Sequence, residues 1–262
     1  MELGVKGKVA MVAGGTHGLG FAVAKMLAAE GVRVSIASRN PEAVAGALEQ
    51  IDAGAGMTFG MSVDLRSRPQ IEDWYSATLR QFDSVDLLVT NTGGPPVGAA
   101  LSFEDSDWQE AFELLLLSAI RLVRVAVPGM IVRRTGSIVM LTSSSVKEPI
   151  VNLALSNVIR SSVSALAKTL ANELAPHGIR VNQLVPGRIL TDRVRHLDEV
   201  NSKRQGISLE AYQERVRTNI PLGRYGEPIE FAQAAIFLLS DASSYITGAT
   251  LQVDGGLIHA TV

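Results

Sequence analysis

Seven short apolar runs, at 9–13, 32–37, 58–63, 87–90, 137–142, 180–184 and 250–253, alternate with longer segments of helical periodicity. A strand that is apolar along its length has no face suited to water, so each is expected to be covered on both sides. Helices between successive strands provide that cover, and right-handed crossovers then make the strands parallel. The helical segments are 19–30, 41–51, 69–82, 107–133, 152–177 and 228–240, with a short amphipathic one at 209–218. Pro41, Pro69 and Pro228 stand at first turns, where a missing N–H breaks no bond. The expected architecture is α/β, a single doubly wound domain over 1–262 with a seven-stranded parallel sheet and helices on both faces. One long irregular stretch, 186–226, interrupts the alternation. In a compact domain such a stretch is expected to be a lid or binding loop, placed here at about 187–226.

Composition narrows the partners. A net charge of only -2 gives no electrostatic case for nucleic acid or an anionic membrane, so a small soluble molecule is the expected ligand. Cysteine is absent, which removes disulfides, thiolate nucleophiles and cysteine-bound metals and is compatible with the cytoplasm. The N-terminal segment lacks the anatomy of a signal peptide. No unbroken apolar run reaches the ~18 residues of a membrane span. No His, Asp or Glu spacing suggests a metal site, and none is expected.

The first apolar run ends in Gly14-Gly15-Thr16-His17-Gly18-Leu19-Gly20 and passes directly into a helix. Glycines there permit a tight turn and let a pyrophosphate approach the backbone N–H groups at the positive helix end. The pattern by itself is weak, but its position at the first strand-to-helix junction points to a dinucleotide. His17 either meets a phosphate or turns to water.

With these residues the chain resembles the short-chain dehydrogenase/reductase family, from about Lys8 to Gly256. Gly14, Gly18 and Gly20 match the family's glycine motif, and Asp64, followed by Leu65, matches the aspartate that meets the adenine. Thr90-Asn91-Thr92-Gly93 resembles the NNAG stretch, and Pro186-Gly187 with Thr191 resembles the segment that folds over nicotinamide and diphosphate. Pro221-Leu222-Gly223-Arg224 and Gly248 through Gly256 resemble its C-terminal signature. The resemblance implies a Rossmann sheet, cofactor at the carboxyl ends of the strands, and a homotetramer. Leu114–Leu117 and the turns around 158–166 are candidates for subunit interface or for core.

Cofactor choice falls to the end of the second strand. No carboxylate stands at Ser38, and Arg39 offers a cation to a 2′-phosphate, so NADP(H) is favoured over the possible NAD(H); the alternative makes Arg39 an ordinary solvated residue.

Family resemblance also implies a catalytic Asn, Ser, Tyr and Lys, and here the pattern breaks. Ser143 is retained, but Leu115, Ser156 and Arg160 occupy the positions of the Asn, Tyr and Lys. An aliphatic hydroxyl has no accessible anion, and a guanidinium titrates too high to relay protons. Arg160 keeps a charge suited to ribose hydroxyls, and Ser143 is suited to orienting a carbonyl. Lys147, Tyr212 and Tyr225 are weighed as substitute acids against plain solvation or packing. Arg193, Arg195 and His196 suit an acidic substrate or cofactor phosphates, diluted by Asp192, Asp198 and Glu199. The expected function is an NADP(H)-dependent oxidoreductase for a small carbonyl, alcohol or 3-oxoacyl compound with an atypical site. Competing readings are an inactive NADP(H) sensor and a non-redox lyase that uses the cofactor structurally.

Overall fold

The computed structural model describes residues 2–51 and 57–260. Its seven-stranded sheet has the order β3-β2-β1-β4-β5-β6-β7, and every neighbouring pair is parallel. The strands are β1 Val9–Ala13, β2 Arg33–Ser38, β3 Thr58–Ser62, β4 Leu87–Thr90, β5 Gly136–Leu141, β6 Ile179–Pro186 and β7 Thr250–Val253. Each strand divides its side chains between two cores by the two-residue period of the pleat. Ala10 and Val12 of β1 face one layer with Ile36, Val89 and Leu184, while Met11 and Ala13 face the other with Leu88, Trp74 and Leu122.

Helices α1 Gly18–Ala29, α2 Pro41–Gln50 and α9 Pro228–Leu239 contribute to the first layer. The second layer is built from α3 Arg68–Phe82, α5 Ser118–Arg133 and α6 Ala154–Leu174. A deep polar cluster in it is fully paired: the Trp74 indole donates to Ser35 Oγ at 2.8 Å, and Ser35 and Thr78 hydroxyls lie 2.8 Å apart. Because β1 neighbours both β2 and β4, chain direction from strand to strand reverses there. A crevice opens beyond the carboxyl ends at that switch point.

Three expectations need correction. The stretch 186–226 is not irregular, since it holds α7 Asp192–Gln205 before α8 Leu209–Thr218. Helix α7 has no continuous apolar stripe, which hides it from a periodicity reading. Its caps are nevertheless complete: Thr191 accepts from Val194 N, Lys203 and Arg204 occupy the last turn, and Gly206 ends it with φ +66. The segment 107–133 is not one α-helix. α4 Asp105–Phe112 passes through a π turn at Glu113–Leu117 before α5. The third is the start of α6, at Ala154 rather than 152, because Asn152 is left-handed with φ +60.

Length and apolar composition alone would let Asp105–Arg133 cross a membrane. In the fold, Leu122, Ala126 and Met130 lie on the sheet, and Arg121 is paired with Glu113 at 2.7 Å.

Candidate active site

The crevice widens into a cleft of about 1050 Å³ lined by both the glycine turn and the carboxyl ends of β4, β5 and β6. Glycine is required at the turn by sterics. Gly14 and Gly18 have φ of +59 and +55, and a β-carbon on Gly14 would lie 2.7 Å from Asn91 Nδ2. One on Gly20 would overlap the Gly14 carbonyl. Asn91 Nδ2 donates to Gly14 O at 3.2 Å, tying the β4 loop to the turn. His17 precedes α1 without capping it through its side chain, and its ring Nδ1 is 2.9 Å from Thr16 Oγ1. The first N–H groups of α1 therefore face the cleft without a side-chain acceptor, as an anion would require.

The remaining sequence-predicted binding residues gather round the same space. Ser38, Arg39, Asp64, Leu65, Gly93, Pro186, Gly187, Leu19 and Thr191 all line it. Arg39 is exposed, and its charge reaches Asp64. The side-chain hydrogen bond from Arg66 holds the Asp64 carboxyl below its ordinary range, so it stays ionised at neutral pH. Thr191 lies over the turn, its methyl 3.5 Å from where a Gly18 β-carbon would stand. These features fit a dinucleotide with its diphosphate at the α1 N-terminus and a 2′-phosphate near Arg39.

On the opposite wall, α6 places Ser156 and Arg160 one turn apart on a common face. Ser143 ends the β5 loop, accepting from Ser145 N at 3.2 Å, and all three residues line the cleft. Ser156 is 8% exposed and its hydroxyl has no partner among the described residues. Arg160 Nη1 reaches only the carbonyls of Leu141 and Thr142, each at 3.4 Å. Burial first, and the charge of Arg193 second, pull this guanidinium down to about 10. It remains a cation at neutral pH. Leu115 is 3% exposed and packs with Ala111, Leu155 and Ile159, so the position that the family resemblance assigns to an Asn lies in hydrocarbon. The wider π turn leaves its neighbour Leu114 on the cleft wall.

The substitute acids are sorted by position. Tyr225 donates to the fully buried Asp198 carboxylate at 2.7 Å, which also pairs with Arg188 at 3.3 Å. Burial and that hydrogen bond push the Tyr225 phenol upward, away from any role as an acid. Lys147 does not line the cleft, whereas Tyr212, 6% exposed, does. Arg193 crosses to Pro95 O at 3.4 Å, while Arg195 is spent on Asp192 at 2.9 Å.

Among the lining residues that the sequence does not single out are three groups, two of them within the expected lid. Helix α7 adds Leu197, Asn201 and Arg204, and α8 adds Arg215. With its amide oxygen facing Arg204, Asn152 accepts from the guanidinium at 2.6 and 2.9 Å, so α7 meets the opposite wall. Leu257, Ile258 and His259 form the last group, fixed where Glu148 Oε1 accepts from His259 N and Ala260 N at 2.9 and 3.0 Å. The caps of α7 were a usable signal; the C-terminal segment carries none. Among the described residues no group of three or more His, Cys, Asp or Glu side chains is placed to hold a metal.

The family described as enoyl-(acyl carrier protein) reductase matches residues 13–258. The chain is 31% identical over 258 residues to the 3-oxoacyl-(acyl-carrier-protein) reductase of Aquifex aeolicus, covering 98% of this chain and 100% of that protein. The structure of L-sorbose reductase from Gluconobacter frateurii, complexed with NADPH and L-sorbose, superimposes with a TM-score of 0.93 at 30% identity, over 99% of this chain and 100% of that one. A short-chain oxidoreductase from Pseudomonas aeruginosa containing an atypical catalytic center does so with a TM-score of 0.90 at 30% identity, over 98% and 100%. Matches spanning nearly the whole chain, on a sheet and glycine turn of this form, make it a member of the short-chain dehydrogenase/reductase family.

Proposed function

We propose that the chain is an NADP(H)-dependent oxidoreductase acting on a small carbonyl or alcohol with a site that lacks the usual phenol. The observation that carries this reading is the meeting of Ser143, Ser156 and Arg160 in the cleft that holds the glycine turn, Ser38 and Arg39. The NADPH bound in L-sorbose reductase, a protein of nearly the same fold, supports the choice of cofactor. Relatives described as enoyl, 3-oxoacyl and sorbose reductases differ in substrate, so the substrate is left to the cleft itself.

The glycine turn and Thr191 would hold the diphosphate, Arg39 the 2′-phosphate and Asp64 the adenine. When bound, NADPH supplies the hydride. Ser143 donates a hydrogen bond to the substrate oxygen and orients it. Arg160, a cation at neutral pH with five N–H donors, stabilises negative charge developing on that oxygen and anchors the nearby ribose, without giving up a proton. Ser156 donates a hydrogen bond to another group of the bound substrate, and the proton that completes the alcohol comes from water. Loss of a positioned general acid costs about 10²–10⁴ in rate, so slow turnover is part of the reading. A homotetramer, expected from the family resemblance, and a cytoplasmic location, expected from composition, belong to the same reading.

A second reading, an NADP(H)-binding protein without turnover, is favoured by Tyr225 being tied to Asp198 and Leu115 being sealed in hydrocarbon. Following NADPH absorbance against ketones, aldehydes and alcohols separates the two. Turnover that falls in Ser143→Ala with unchanged NADPH affinity is expected for the first; a folded, NADPH-binding protein inert to the panel decides for the second.

A further inference from the structure

We propose that the inner cleft receives an oxyanion carried by the substrate, foremost the carboxylate of an oxo or hydroxy acid, between Arg160, Arg193 and the Ser156 hydroxyl. The inference rests on the oxidoreductase reading and names its substrate class. Two guanidiniums share this space, and neither has a carboxylate partner among the described residues. Arg160 has two carbonyls at 3.4 Å, and Arg193 has one at 3.4 Å. Each charge raises the cost of the other, which burial of Arg160 makes worse, and an anion between them removes that cost. Ser156, 8% exposed and unpartnered among the described residues, adds a donor on the cleft wall one turn of α6 from Arg160.

The carboxylates on the cleft wall do not supply the missing charge. Asp64 is bound by Arg66, Asp192 by Arg195, and Glu148 by two backbone N–H groups. At the rim, among the described residues, Arg204 donates only to the neutral Asn152 amide and Arg215 has no ion-pair partner, so further positive charge faces an incoming ligand. Cofactor phosphates already have receptors elsewhere, at the uncapped α1 N-terminus and at Arg39. The anion left to account for is therefore the substrate's.

The test is a fluorescence titration of the protein–NADPH complex with pyruvate, acetoacetate and their methyl esters at low ionic strength, repeated without NADPH. At least one acid is expected to bind about 10- to 100-fold more tightly than its ester, as for hydrogen bonds to a charged group. Arg193→Gln, a change at an exposed residue, should abolish that preference while NADPH affinity stays within about two-fold, and Arg160→Gln should abolish it as well. Esters that bind as well as the acids, or a complex that binds neither acid, would overturn the proposal. So would an Arg193→Gln protein that keeps the acid preference and loses about ten-fold in NADPH affinity, since the arginine would then serve the cofactor phosphates. Failure to bind NADPH at all sinks the oxidoreductase reading instead; an acid preference in the cofactor-free protein, lost in Arg193→Gln, would still uphold the anion site.

Discussion

The two halves of the cleft recognise their ligands by different means. Around the glycine turn the backbone does the work, through positive φ at Gly14 and Gly18, the free N–H groups of α1 and a carbonyl held by Asn91. Across the cleft, Ser143, Ser156, Arg160 and Arg193 act through side chains projecting from well-packed elements. A backbone site tolerates almost nothing at a few positions, because any β-carbon there collides. A side-chain site can be rebuilt residue by residue while its helix stays in place, since α6 presents Ser156 and Arg160 one turn apart on a single face.

The most severe test of that contrast is Gly20→Val, whose β-carbon meets Gly14 O and Asn91 Nδ2. NADPH affinity by calorimetry is expected to fall on the order of 10³-fold, about 4 kcal/mol, with the sheet intact by circular dichroism. Native affinity in that variant would break the comparison. Rebuilding the other half should do the opposite: Ser156→Tyr with Arg160→Lys is expected to raise carbonyl reduction about 10²-fold with little change in Tm. Adding Leu115→Asn places an amide among Ala111, Leu155 and Ile159, and should cost about 1–3 kcal/mol of stability unless it finds a partner.

Smaller effects sharpen the boundary between the halves. Asp198→Ala leaves the Tyr225 hydroxyl and the partly exposed Arg188 without their shared acceptor. It should loosen α7 by about 1–3 kcal/mol, seen as faster proteolysis there, with NADPH binding little altered. Ser38→Asp with Arg39→Leu should reverse a preference for NADPH over NADH by about ten-fold, since a carboxylate then faces the 2′ position. The mildest effect is pH dependence. Arg160 is protonated below about 10, so its hold on an oxyanion should be constant near neutrality and be lost as pH rises through about 10. Its depressed value also means the native state binds fewer protons than the unfolded chain from about 10 up to the ordinary guanidinium value, so this group alone makes stability rise with pH there.

Strands were legible in the sequence because burial on both faces leaves continuous apolar runs. The limits of β1, β4 and β7 coincide with those runs, and the other strands differ by one or two residues. Helix α7 was not legible from periodicity, since one face meets the open cleft and the other is anchored by a buried Asp198 rather than by hydrocarbon. The π turn was hidden for another reason: four successive leucines offer apolar contact in any register. In the site, Ser156 and Arg160 could be placed by counting along α6, because four residues return a helix to the same face. No local rule foretold that Tyr225 would be tied to Asp198, that Asn152 would meet Arg204, or that 257–259 would close the cleft. Those contacts join segments distant in sequence.

The grip of Glu148 on the backbone of His259 and Ala260 has a practical consequence for handling the protein. Leu257 to His259 are cleft wall, so an affinity handle fused directly behind them begins beside the cleft and competes with the backbone geometry that Glu148 sets. One fused ahead of Leu3 enters near Asp241 and Gly31, by the amino end of β1 and so on the far side of the sheet from the cleft. Assays and titrations of this chain are best read from protein carrying its handle at that far end.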